Sequence, residues 1–341
     1  MPADDLRKRI EALNKGPMKN VPEASEGVPS DIKALRRKLE RQKGKGRAPA
    51  TSHSPTRPPR AVSAASSPEV PQPIIYCRTA PVAQAAAGYG QTPAGRDFGP
   101  PVNLEEAVAG IVAESPDGPG YYLVEQPAVA LEADSVFLHR RFVSLTGYPD
   151  GYAVKPMAAV CGIERIAPRD IVFLDLETTG LGTTPLFLVG TMECADDGFR
   201  FRQYFARDYS EEVSILSAVS ERLREARLMV TFNGKTFDVP FMRNRSVATG
   251  VKLNLPESHL DLLHEARRVY RRDLPNCRLQ TLEQMVCGRR RDDDIPGSEI
   301  PSVYHEYVRT GNANKISVVL MHNLYDLLTM ADLMSRMWGR E

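Results

Sequence analysis

The chain has 341 residues, 26% of them charged, and a formal net charge of +1; that length suits one large core or two small ones. No apolar run approaches the roughly 20 residues of a membrane span, and the opening MPADDLRKRI lacks the apolar stretch of a secretory signal. The five cysteines, Cys77, Cys161, Cys194, Cys277 and Cys287, form no CxxC pair, so neither a zinc site nor a disulfide framework is signalled. A reducing cytoplasm is the expected setting.

The near-zero charge hides an asymmetry. Residues 1–60 hold 15 Lys/Arg against 7 Asp/Glu, which leaves 29 basic and 36 acidic residues in 61–341. A basic arm on an acidic body suggests a polyanionic partner such as nucleic acid. A protein partner, or a bare solvated tail, fits the same composition. Two short helical patterns open the arm, Asp4 to Asn14 and Asp31 to Gln42, the second with Ile32, Leu35 and Leu39 on one face. Eleven of the 27 prolines then fall between Pro49 and Pro101, among Ala, Ser and Gly. Such a stretch cannot bury a core, so residues 1–101 are expected to be a disordered basic arm and linker with short helices.

Residues 102–169 are expected to form a small β-containing lead-in. NLEEAVAGIV suggests a short helix, while GYYLVEQ and SVFLHRRFVSL suggest strands, with turns at Pro116-Asp117-Gly118 and Pro149-Asp150-Gly151. From Asp170 the pattern sharpens. IVFLDLE is a continuous apolar run with the character of a central strand. A turn over Thr178 to Gly182, the strand PLFLVGTMEC, a hairpin turn at Asp196-Asp197-Gly198 and the strand FRFRQYFA follow. Asp208 can cap a helix to about Ala226, LMVTFN reads as a fourth strand, and a helix is expected near Asp238. HLDLL is a short strand or helix entry, and helices are predicted at 279–287, 299–310 and 314–338. A meander followed by alternating helix and strand predicts an α/β domain at 170–341, a mixed sheet with helices on both faces.

Three motifs carry chemistry. In a strand, residues i and i+2 face the same way, so Asp175 and Glu177 project together from the end of an apolar strand. Two acids at the mouth of a buried strand call for a cation. Asp238 closes FNGKTFD at the start of a helix, where alone it would read as a cap. Gly234-Lys235-Thr236 mimics the end of a phosphate-binding loop, but that loop needs Gly at 229, which is Met. His322 and Asp326, in HNLYD, are i and i+4 on one helix and share a face. Leu320, Leu324, Leu327 and Leu328 crowd around them, which points to partial burial. Two like charges 4 Å apart repel by about 4 kcal/mol at an effective dielectric near 20. Four ionised carboxylates at such range therefore need either protons or divalent ions, and oxygen-only ligands select Mg²⁺ or Mn²⁺.

DLETTG, FNGKTFD and HNLYD, in this order and spacing, resemble the three exonuclease motifs of the DEDD, or DnaQ-like, superfamily of RNase H-like fold. SHLDLLHEARR, LPNCRLQTLEQMVCG, DDDIPGSEIPSVYHEYV and HNLYDLLTM further resemble the YprB-type ribonuclease H-like proteins of bacteria. The resemblance covers about 170–338. It implies an RNase H-like fold, a bacterial cytoplasmic setting and two divalent cations, Asp175 bridging both, Glu177 and Asp326 on one and Asp238 on the other. His322 would deprotonate the attacking water, and Thr179, Gly180 and Leu181 would face the terminal nucleotide. Asn233 and Phe237 would support the second motif, and Asp261 would stand behind the metal ligands. One departure is visible. The His-type branch places its base five residues before the last Asp, whereas His322 precedes Asp326 by four, the spacing of the Tyr-type branch. Arg267, Arg268, Arg271 and Arg272, and Arg289 to Arg291, are candidates for holding the substrate backbone, or simply solvated surface. The expected activity is a metal-dependent 3′–5′ exonuclease on single-stranded DNA or RNA ends. The alternative is a nucleic-acid-binding or scaffold protein with weak or lost nuclease activity.

Overall fold

The computed structural model describes residues 98–147, 157, 159, 161–163, 165–291 and 294–339. The two N-terminal helical patterns, nearly all of the linker and the turn at 149–151 lie outside the described residues. A seven-stranded sheet organises the rest, in the order β1-β2-β5-β4-β3-β6-β7. Its strands are β1 (Ile111–Ser115), β2 (Gly118–Pro127), β3 (Ile171–Thr178), β4 (Leu186–Ala195), β5 (Gly198–Phe205), β6 (Leu228–Thr231) and β7 (Ser258–Asp261). From β1 to β3 the neighbours are antiparallel, whereas β3–β6 and β6–β7 are parallel. The strands GYYLVEQ and FRFRQYFA pair along β2–β5, so residues N-terminal to 170 extend the same sheet.

Nine α-helices complete the described residues: α1 (Leu104–Ala107), α2 (Ala128–Leu131), α3 (Ser135–Gly147), α4 (Glu212–Leu223), α5 (Asp238–Thr249), α6 (Leu262–Tyr270), α7 (Leu279–Leu282), α8 (Ile300–Thr310) and α9 (Asn314–Trp338). A π-helical turn, Glu283–Cys287, continues α7. None is long and apolar enough to cross a membrane.

The alternation of β3 sorts the core into two layers. Val172, Leu174 and Leu176 join the cluster that takes in Ile215 and Val219 of α4, Met242 of α5 and Tyr304 of α8. Ile171 and Phe173 join the other, with Phe142 of α3, Ala266 of α6 and Leu327 of α9. Helices thus cover both faces, as an RNase H-like mixed sheet requires. Since Asp175 and Glu177 share the parity of Ile171 and Phe173, β3 presents both acids on the face that α9 covers.

SVFLHRRFVSL is helix, not strand. Its β-branched and aromatic content reads as strand, but the buried positions Leu138, Phe142 and Thr146 recur every four residues, the spacing of one helical face. HLDLL divides between its two readings, strand to Asp261 and helix from Leu262.

Candidate active site

Four segments meet at the end of β3. The strand brings Asp175 and Glu177, the first turn of α5 brings Asp238, the middle of α9 brings His322 and Asp326, and the stretch before α8 brings Asp294. Asp238 and His322 are buried, and Asp175, Glu177, Asp294 and Asp326 are partly so.

Asn323 fastens the strand to the helix. Its side-chain amide donates to Asp175 Oδ2 at 2.8 Å and to the Asp175 carbonyl at 3.3 Å. Its carbonyl oxygen accepts from Gln203 Nε2 at 2.9 Å, and Gln203 also reaches the Leu320 carbonyl. This arm crosses β4 directly over Gly190, the residue paired with both Asp175 and Gln203. A Cβ at 190 would lie 2.0 Å from Asn323 Oδ1, so the glycine makes room for the contact. Sequence reading passed over Gly190, Gln203 and Asn323. Only Asn323 carried a signal, its place inside HNLYD.

Asp261 organises the second motif. It is buried and accepts from three backbone amides: Asn233 at 2.8 Å, Lys235 at 3.0 Å and Leu263 at 3.0 Å. It therefore caps α6 and ties down the loop that ends in Asp238. Asn233 adopts φ +69°, and its carbonyl accepts from Thr236 and Phe237. Gly234 is packed on Thr231, whose hydroxyl would stand 2.2 Å from a Cβ there. The phosphate-loop look-alike is thus a tight turn built to deliver Asp238.

The expected substrate residues separate. Leu181 is 84% exposed, and with Gly180, Thr178, Leu176, Phe237 and Pro301 it lines a cavity of about 460 Å³ beside Glu177. Thr179 lies outside it. Its amide and hydroxyl both donate to the Pro185 carbonyl, closing the turn. Within the basic cluster at 289–291, Arg290 is exposed, whereas its two neighbours are already engaged by protein groups. Arg289 is engaged by Glu132 and Thr329, and Arg291 by Glu283, Asp326 and the His322 carbonyl. The guanidinium of Arg291 also lies 5.5 Å from the centre of the Tyr325 ring. Arg267, Arg268, Arg271 and Arg272 are exposed on and just after α6.

The acids divide electrostatically. Burial pushes the Asp175 carboxyl well above the usual carboxylate range, and Asp326 and Asp238 add to the push. Burial and Asp175 do the same to Glu177. Burial raises Asp238 to about 7. Asp326 is the exception. Burial would raise it too, but His322 and Arg291 hold it at about 2. Burial alone would lower His322; Asp326 and Asp294 outweigh it and raise the imidazole well above its ordinary value. His322 Nε2 stands 3.4 Å from Asp326 Oδ2 and 4.0 Å from Glu177 Oε1.

Among the described residues no three His, Cys, Asp or Glu groups converge tightly enough to hold one metal ion in their present rotamers. Asp326 is turned to Arg291 and Asp175 to Asn323. The donor chemistry nevertheless fits hard divalent cations. Asp175, Glu177 and Asp238 offer oxygen donors, and burial beside other acids raises their affinity for protons, a cost that a bound cation would offset.

Residues 172–338 match the sequence model of the RNase_H superfamily. Over 170 residues the chain is 32% identical to the uncharacterized protein YprB of Bacillus subtilis (strain 168), a match spanning 48% of this chain and 41% of that protein. Among solved structures, the family B DNA polymerase from the hyperthermophilic archaeon Pyrobaculum calidifontis aligns with 47% of this chain and 23% of its own, at 17% identity and a TM-score of 0.39.

Proposed function

We propose that this chain, whose residues 172–338 match the RNase H superfamily and resemble YprB, is a metal-dependent 3′–5′ exonuclease acting on single-stranded nucleic-acid ends. One observation carries the reading. Acids from three separate segments, Asp175 and Glu177, Asp238, and Asp326, gather at the end of β3 with His322 beside Glu177 and Asp326, and burial raises the proton affinity of three of the four.

Asp175, Glu177, Asp238 and Asp326 are the residues that would hold Mg²⁺ or Mn²⁺. Two such ions supply the charge that stabilises the attacking and leaving oxygens of a phosphoryl displacement. His322 takes the proton from the attacking water at Nε2. Neutralising Asp326 would remove the largest single influence that holds its imidazole protonated and so favour that nitrogen as a base. The water oxygen then bonds to phosphorus as the bond to the 3′-oxygen of the preceding nucleotide breaks, and a nucleoside 5′-monophosphate departs. The cavity between Leu181 and Phe237 suits the terminal base, because an aromatic face and an aliphatic surface hold any base by stacking, without reading sequence. Thr179 and Asn233 serve by shaping the turns on either side. Asp261 anchors the loop of Asp238.

A second reading rests on Arg291. A guanidinium already pairs with Asp326, which would compete with a metal for that carboxylate and leave a nucleic-acid-binding protein with weak or lost nuclease activity. A labelled oligonucleotide, as DNA and as RNA, incubated with the protein and Mn²⁺ or Mg²⁺ separates the two. The exonuclease reading expects stepwise shortening that stops with chelator and falls about 10²–10⁴-fold in His322→Ala. Binding without shortening supports the second reading.

A further inference from the structure

We infer that Asp294 is the residue that aims His322 at the carboxylate cluster, an Asp–His pair supplied from outside the helix that carries the base. The four-residue spacing puts His322 and Asp326 on one face of α9, but spacing alone leaves the imidazole free to rotate. Asp294 removes that freedom. Its Oδ1 lies 2.7 Å from His322 Nδ1, in a partly buried contact between residues 28 apart in sequence.

An ionised carboxylate only accepts, so Nδ1 is the donor and carries a proton. The neutral ring then has its lone pair on Nε2, the nitrogen that faces Glu177 and Asp326. Asp294 is itself held. Its Oδ1 accepts from the Ile295 amide at 2.9 Å, and Arg291 stands 3.6 Å from Oδ2. Ile295 is buried in the core layer of α4 and α8, which ties this short stretch to the body of the domain. Arg291 meanwhile donates to the His322 carbonyl at 3.2 Å and to the buried Glu283, at the start of the π-helical turn. The backbone and the ring of His322 are therefore held from the same side. This explains how a histidine can serve at a spacing that otherwise carries tyrosine.

The role presupposes the exonuclease reading, because Asp294 acts only through His322. It is tested by single-turnover cleavage of a single-stranded oligonucleotide with Mn²⁺, for wild type, Asp294→Ala, Asp294→Asn, His322→Ala and the Asp294→Ala/His322→Ala double variant. Residues that orient a catalytic group from behind are commonly worth about 10–100-fold. Asp294→Ala should lose rate on that scale with KM unchanged, and Asp294→Asn should regain most of it, since Asn Oδ1 accepts the same hydrogen bond. In the His322→Ala background the Asp294→Ala change should cost nothing further. The metal-free wild type should also show a downfield imidazole N–H proton resonance that is absent from both His322→Ala and Asp294→Ala. Wild-type rate in Asp294→Ala, an equal loss in both backgrounds, or a resonance that survives Asp294→Ala would overturn the pairing while leaving the exonuclease reading in place. A wild type that cleaves neither DNA nor RNA would remove both.

Discussion

Asp175, Glu177 and Asp238 face one difficulty: each is taken out of water beside other acids, and the His322 imidazole near Asp175 and Glu177 offsets only part of that cost. Asp238 illustrates the consequence for stability. A carboxyl that ionises near 3.8 in the unfolded chain and near 7 in the folded one binds more protons when folded. Stability therefore falls as pH rises between those values. Asp175 and Glu177 push the same way. His322, raised well above 6.5 in the folded state, stabilises fully below that pH, and its contribution is lost higher up. The metal-free protein should melt at lower temperature at pH 7.5 than at pH 5.5. Asp238→Asn should flatten the trend, and Mn²⁺ should raise the melting temperature most at the higher pH. Differential scanning fluorimetry across pH checks all three, and a metal-free melting temperature that rises from pH 5.5 to 7.5 would refute the electrostatic account. Asp326 titrates in the opposite sense, but only below pH 4, outside that window. At this scale Asp175 and Glu177 were legible from strand parity and Asp326 from helical spacing, whereas Asp238 alone read as a cap and stood out only through the resemblance of FNGKTFD. Their partners were not legible. Asn323 and Gln203 meet across 120 residues, and Asp294 reaches His322 across 28, with no local pattern to announce either contact.

The strands and helices that hold these residues differ in how openly they announce themselves. The β-branched, apolar run Ile171 to Leu174 has the character of a strand covered on both sides, so β3 and the acids at its end could be placed without a structure. α3 shows the limit. The segment SVFLHRRFVSL within it carries strand-forming side chains, and the packing of Phe142 on Phe173 and Phe199 decides the outcome. Gly190 in β4 has no sequence signature either, since glycine in a strand commonly only weakens it. Its role is clearance for Asn323. Gly190→Ala should force that side chain aside, cost about 1–3 kcal/mol as overpacking does, and release Asp175. Thermal melting and cleavage rate should fall together. A Gly190→Ala protein with unchanged rate would show that the Asn323–Asp175 contact is dispensable for the chemistry.

The whole chain joins this acidic domain to the basic segment at 1–60. Contacts with the start of α9 reach back before residue 102. The Pro100 carbonyl accepts from Asn314 at 2.8 Å, and the Val102 amide donates to Asn312 at 3.3 Å, so a truncation should keep residues 98–101. Removing 1–97 should leave the fold and the chemical step unchanged. If the arm binds nucleic acid, each phosphate it neutralises contributes about −0.7 to the slope of log affinity against log salt for single strands. Fluorescence anisotropy over a salt series should show the truncated protein binding more weakly at low salt and with a shallower slope. Equal slopes would mean that the arm serves a protein partner or none. The central claim is that the cluster around Asp175 cuts nucleic acid one nucleotide at a time from the 3′ end. It meets its most direct test in a 5′-labelled single-stranded oligonucleotide incubated with Mn²⁺ and either wild type or Asp175→Asn. Wild type should produce a descending ladder that loses single nucleotides, and Asp175→Asn, equally folded by circular dichroism, should leave the oligonucleotide intact. The same ladder from Asp175→Asn, or none from wild type, would contradict it.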